Sequence, residues 1–87
     1  EQHGPHLPVG VDAHLGQGLL ARALARLPAA TPAFVAPPLL VGKSNEHADW
    51  PGTLTLSART FSALVRAQVA ELRRLGFRRI AFFNTHG

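Results

Sequence analysis

The sequence predicts an α/β fold with a mostly parallel sheet, on three observations. Two stretches with helical apolar spacing alternate with short apolar runs of strand length. Residues 79–83, RIAFF, carry the continuous apolar run of a parallel strand covered on both faces. The polar clusters at 1–12, 42–52 and 84–87 fall where strands would end, and α/β sheets gather their sites at the carboxyl ends of strands.

The elements follow in order. Residues 1–11, EQHGPHLPVGV, are rich in His, Pro and Gly and read as a loop. A helix is expected over about 13–27, with Leu15, Leu19, Leu20, Ala23, Leu24 and Leu27 on one face and Arg22 and Arg26 pointing away. Asp12 stands at its N-cap position and Pro28 ends it. Residues 33–36, AFVA, suit a buried strand before Pro37-Pro38. The polar loop from Gly42 to Pro51 has the length of a functional loop. Thr53-Leu54-Thr55-Leu56 alternates as a short strand does. A second helix is expected over 58–75, capped by Ser57, with Phe61, Leu64, Val65, Gln68, Leu72 and Leu75 near one face. Arg73 and Arg74 suit its negative end, and Gly76 supplies a left-handed stop. The strand at 79–83 then leads to Asn84-Thr85-His86-Gly87. A strand is expected ahead of the opening loop, so residues 1–87 read as one partial domain lacking its first strand and its C-terminal part.

Bulk properties narrow the function classes. Hydrophobic residues make up 46% of the 87, too many for a disordered chain. No apolar run approaches the roughly 20 residues of a membrane span, and no signal peptide is evident, so a cytoplasmic location without membrane contact is expected. The absence of Cys removes thiolate metal sites and disulfides. The net charge of +4 raises a nucleic-acid reading, but the arginines are spread over helix faces and no aromatic residues alternate with them. No nucleic-acid partner is expected.

Chemistry concentrates in a few residues. Glu1 and His3 are two apart, so an extended segment points both side chains the same way. A carboxylate and an imidazole on one side can bind a borderline divalent metal. Asp12 follows a bend made by Gly4, Pro5, Pro8 and Gly10, and His86 arrives from another strand end. Together the four make a site for zinc or manganese, with Asp12 able to bridge two ions. Each also has a plainer role. Asp12 serves as a helix cap, His86 as a hydrogen-bonding loop residue, and Glu1 as a solvated group. His6 and His14 read as supporting groups, not ligands. In the middle loop His47, Glu46 and Ser44 are candidate substrate-binding residues; for His47, hydrogen bonding within its own loop is the equal alternative.

Three blocks bear on that choice. EQHGPHLP with an Asp eleven residues after the Glu, GKSNEHADWPGTLTLS, and FFNTHG stand in the order and spacing of the creatininase family, which the chain resembles over nearly its whole length. The resemblance implies an α/β/α three-layer sandwich, present here as a fragment. It implies metal ligands at Glu1, His3, Asp12 and His86, holding a pair of divalent metals such as zinc, manganese or iron. It further implies hydrolysis of a non-protein C–N bond (amide, formamide or cyclic amide) in a small-molecule substrate by metal-activated water, and assembly as a homo-oligomer, commonly a hexamer. Two departures stand out. The family's further carboxylate ligand would fall beyond Gly87, and the compact Gly42–His47 loop lacks an insertion found in creatininase itself, which points away from creatinine. A peptide-trimming hydrolase of cofactor maturation and a non-catalytic fragment keeping the fold are the alternatives. The 87 residues alone are expected to be inactive.

Overall fold

The computed structural model describes residues 1–86; Gly87, the last residue of the Asn84–Gly87 motif, lies outside the described residues. Two α-helices and one short 3-10 turn make up the regular structure, in the order α1 (Val11–Leu24), the turn Asn45–His47, and α2 (Ala58–Arg74).

Helix α2 forms as its sequence predicts. The Ser57 hydroxyl accepts from the Thr60 backbone N–H at 3.1 Å, satisfying one of the free donors of the first turn. At the other end Gly76 has φ +96°, a conformation that costs glycine little. There Phe77 N–H bonds Leu72 C=O and Gly76 N–H bonds Arg73 C=O, the paired bonds of a Schellman motif. Phe61, Val65, Gln68 and Leu72 form a half-buried stripe, while Leu64 and Leu75 of the expected face are exposed.

Helix α1 begins and ends earlier than its leucine spacing suggests. Its N-cap is Gly10, with no side-chain cap, so Asp12 lies inside the first turn and its carboxylate is not used as a cap. After Leu24 the chain tightens through Arg26 N–H to Ala23 C=O and Leu27 N–H to Leu24 C=O before Pro28. Leu15 and Leu19 are exposed; Leu20 and Leu24 are half-buried. Among the described residues no helix is long and apolar enough to cross a membrane.

The expected α/β fold is not what the chain adopts. Among the described residues there is no strand and hence no parallel sheet or sandwich. The segments 33–36, 53–56 and 79–83 are irregular. Apolar content and alternation express a preference for a pleated environment, but a strand exists only where a neighbour completes its ladder of hydrogen bonds. No such ladder joins these segments. Phe34 meets Phe77 edge to face at 5.6 Å between ring centroids, yet Phe34 is 77% exposed, and Phe82 and Phe83 also face outward.

The helices do not pack on one another, and the chain spreads as a plate of 45 × 29 × 14 Å. Its radius of gyration is 15.1 Å, against about 12 Å for a compact domain of this length. No hydrophobic side chain is buried among the described residues. The buried polar residue is Ser44. It sits where the opening segment, the middle loop and the last segment come together, and hydroxyls tie that junction. Thr53 Oγ1 accepts from Gln2 N–H at 3.1 Å and Thr55 Oγ1 from Ser44 N–H at 2.8 Å. Leu56 N–H bonds Gly42 C=O at 2.9 Å. Thr85 donates to the Asp12 carbonyl at 3.1 Å.

Candidate metal centre

The junction collects carboxylates and imidazoles from distant parts of the chain. Glu1 is central, its side chain only 8% exposed. Its Oε2 lies 2.6 Å from His86 Nδ1 and accepts from Ser44 Oγ at 3.1 Å. Its Oε1 lies 2.8 Å from His47 Nδ1. Asp12 Oδ2 stands 3.1 Å from His3 Nε2 and 3.5 Å from His86 Nδ1. The His3 and His86 rings meet edge to face, 5.5 Å apart.

Local structure explains each placement. Glu1 and His3 flank Gln2, whose backbone is pinned to Thr53, and point to the same side as the two-residue spacing requires. The turn at Gly4, with φ +94°, and the Val11 N–H to Pro8 C=O bond fold the chain back so that α1 starts beside its own beginning. Asp12 then projects from the first turn of α1, where the helix dipole favours an anion. His86 is brought to it by close contact between Thr85 and α1. At Gly16, the most enclosed position of α1, an added Cβ would stand 2.8 Å from both Thr85 Cγ2 and Oγ1. Only glycine leaves room for Thr85 there.

The donor set suits a divalent cation. His3 Nδ1 is 3.0 Å from the Glu1 carbonyl oxygen, an acceptor, so in the neutral ring the proton resides on Nδ1 and Nε2 offers a lone pair. That lone pair faces Asp12 Oδ2 at 3.1 Å. Two acceptors at this distance are held together only by a proton or a cation between them. Ligands about 2.1 Å from one ion lie about 3.0–3.4 Å from each other in octahedral or tetrahedral arrangements. Two of the spacings, at 3.1 and 3.5 Å, fall in or near that range, while His86 and Glu1, at 2.6 Å, stand closer, at the distance of a direct hydrogen bond. One donor atom each from Glu1, His3 and His86 lies within 4.8 Å of the others, and the same holds for Glu1, Glu46 and His47.

All four residues expected to bind metal therefore converge. Of the three expected to touch substrate, Ser44 and His47 reach the Glu1 carboxylate, while Glu46 is half-exposed and 3.8 Å from His47 Nδ1. His6 and His14 are exposed. Sequence reasoning missed the supporting roles of Thr53, Thr55, Thr85 and Gly16. The alternation of 53–56 did contain the signal for the first two: threonines two apart face the same way, here toward the site loops, while Leu54 faces out.

Comparison with known proteins bears on this cluster. The family model for creatininase, described as creatinine amidohydrolase, matches residues 1–87. A mycofactocin precursor peptide peptidase of Mycolicibacterium smegmatis is 34% identical over 89 residues, covering 100% of this chain and 36% of that protein. The protein of the same name from Mycobacterium ulcerans is 33% identical over 92 residues, with 100% and 36% covered. A creatinine amidohydrolase of Pseudomonas putida is 34% identical over 91 residues, with 99% and 34% covered. The chain thus spans about a third of the length of these relatives. No solved structure matches it. The match runs through every block that supplies a residue to the cluster, and the chain belongs to the creatininase family.

Proposed function

We propose that the protein carrying this chain is a metal-dependent hydrolase of an amide C–N bond, and that Glu1, His3, Asp12 and His86 hold the cation. The single observation that carries the reading is the convergence of two carboxylates and two imidazoles from three separated segments onto one partly enclosed point. A divalent ion held there supplies a Lewis acid that polarises a carbonyl and makes water nucleophilic at neutral pH. Zinc and manganese suit the mixed nitrogen and oxygen donors, as does iron. Asp12 Oδ2 is within reach of both His3 and His86, as a carboxylate shared by two ions would be. His3 is held in one tautomer by the Glu1 carbonyl. Glu46, half-exposed at the edge of the cluster, is the member of the middle loop assigned to substrate in this reading, which its exposure supports.

Two substrate classes divide the proposal. A small amide, formamide or cyclic amide is one, in keeping with the relative named creatinine amidohydrolase. A precursor peptide trimmed during cofactor maturation is the other, favoured by the relatives named mycofactocin precursor peptide peptidase at equal or slightly lower identity. An assembly of identical subunits in the cytoplasm completes the proposal.

The test uses the full-length protein. Stripped with a strong chelator and dialysed, it is expected to lose hydrolysis of a panel of formamides, cyclic amides and short peptides, and to regain it with zinc or manganese. Activity that survives stripping, with no metal left by elemental analysis, rules the metal mechanism out. Which panel members turn over decides between the substrate classes.

A further inference from the structure

His47 stands apart from the other imidazoles of the cluster. Of the residues proposed to hold the cation, His86 is on one oxygen of Glu1: Oε2 faces it at 2.6 Å, and His86 in turn faces Asp12. His47 is on the other oxygen, with Nδ1 2.8 Å from Oε1. That nitrogen is shut off from water and has no aligned hydrogen-bond partner. The distance is right for a bond to Oε1 and the direction is not; a modest rotation of the ring, whose χ2 torsion is soft, completes it. A buried N–H without a partner is costly, so the rotation is favoured. The ring as a whole is 36% exposed, which leaves the buried Nδ1 edge turned to Glu1 and away from any substrate in solvent. On the far side Ser44, a buried residue, donates to Oε2.

We propose that His47 is a positioning residue that, together with Ser44, clamps the Glu1 carboxylate so that Oε2 is presented to the cation, and that His47 itself neither contacts substrate nor ligates metal. This rests on the metal reading above and deepens it. A carboxylate free to rotate offers a cation either oxygen in many orientations, and one gripped at both oxygens offers a single one; such outer contacts set metal affinity. The His47 and Ser44 backbones belong to one short segment that includes the turn Asn45–His47. The N–H of His47 bonds the Ser44 carbonyl at 3.1 Å, so the two clamp residues are fixed relative to each other.

The experiment measures Co(II) and Zn(II) affinity of the full-length protein by chelator competition, with the Co(II) absorption spectrum as a report on ligand type. Three proteins are compared: wild type, His47→Ala, and His47→Asn, whose amide nitrogen takes the place of Nδ1. The expected result is a loss of about 10–100-fold in affinity for His47→Ala, recovery to within about threefold of wild type in His47→Asn, and one Co(II) spectrum throughout. Unchanged affinity in His47→Ala overturns the clamp. A failure of Asn to rescue, with a spectrum altered in both variants, overturns it in favour of direct ligation. Should wild type itself bind neither ion stoichiometrically, the metal reading falls, and that outcome is distinct from either of the other two.

Discussion

At the scale of single residues, the cluster depends as much on small side chains as on its carboxylates and imidazoles. Gly16 admits Thr85, and Thr85 carries His86 to Asp12. A methyl at Gly16 would meet a β-branched side chain with few rotamers to escape into. Gly16→Ala is therefore expected to destabilise the full-length protein by about 1–3 kcal/mol and to weaken metal binding by moving His86. A Thr85→Ala change in the same protein removes both clashing atoms and should restore part of the stability, a non-additive pair. Thermal melts and zinc titrations of the two single variants and the double variant check this. Strict additivity would show that Gly16 and Thr85 do not meet as described. Removing a proposed ligand has a different signature: His3→Ala is expected to abolish tight metal binding while changing stability little when no metal is bound, because His3 is partly exposed.

At the scale of elements, α2 is the one unit whose boundaries, caps and half-buried stripe follow from local chemistry. Its termini rest on Ser57 and Gly76. In a peptide covering residues 56–78, Ser57→Ala is expected to cost about 1 kcal/mol of helix stability. Gly76→Ala, at φ +96°, should cost about 1 kcal/mol as well, by opposing the left-handed turn. Circular dichroism reads both as lower helicity. Equal helicity in the three peptides would mean that the caps are incidental. Helix α1 offers the contrast: it has no side-chain cap, and its Asp12 faces imidazoles. A residue that looks like a cap has instead been left free for the site.

At the scale of the whole molecule, the plate-like chain has its enclosed centre made of polar groups and its apolar groups on the outside. Phe34, Trp50, Leu54, Leu40 and Phe82 are all more than half exposed. A single layer 14 Å thick cannot shield an apolar side chain from both faces. Burial is the main favourable term in folding, so these 87 residues alone should lack a cooperative native state. The isolated chain is expected to bind a hydrophobic dye, to associate as concentration rises, and to show no amide hydrolysis above the free-metal background. Sedimentation and dye fluorescence test the physical half of this, and an assay with stoichiometric zinc tests the chemical half. A monomer that melts cooperatively and turns over an amide would contradict it.

The sequence by itself determined that two helices form and which donor residues could meet. Helical periodicity, Ser57 and Gly76 are local signals, and local hydrogen bonds execute them. Glu1, His3, Asp12 and His86 were legible because donor chemistry and motif spacing are properties of residue types. Strands were misjudged at 33–36, 53–56 and 79–83 because pairing belongs to two segments at once, and no ladder joins these. The tertiary structure alone decided that Asp12 faces imidazoles instead of capping α1, that Gly16 makes room for Thr85, and that the buried edge of His47 turns to Glu1. Each is a contact across more than two residues of chain, set by where the backbone turns and what it leaves enclosed. Residue type states what a side chain can do; only the assembled chain selects the partner with which it does it.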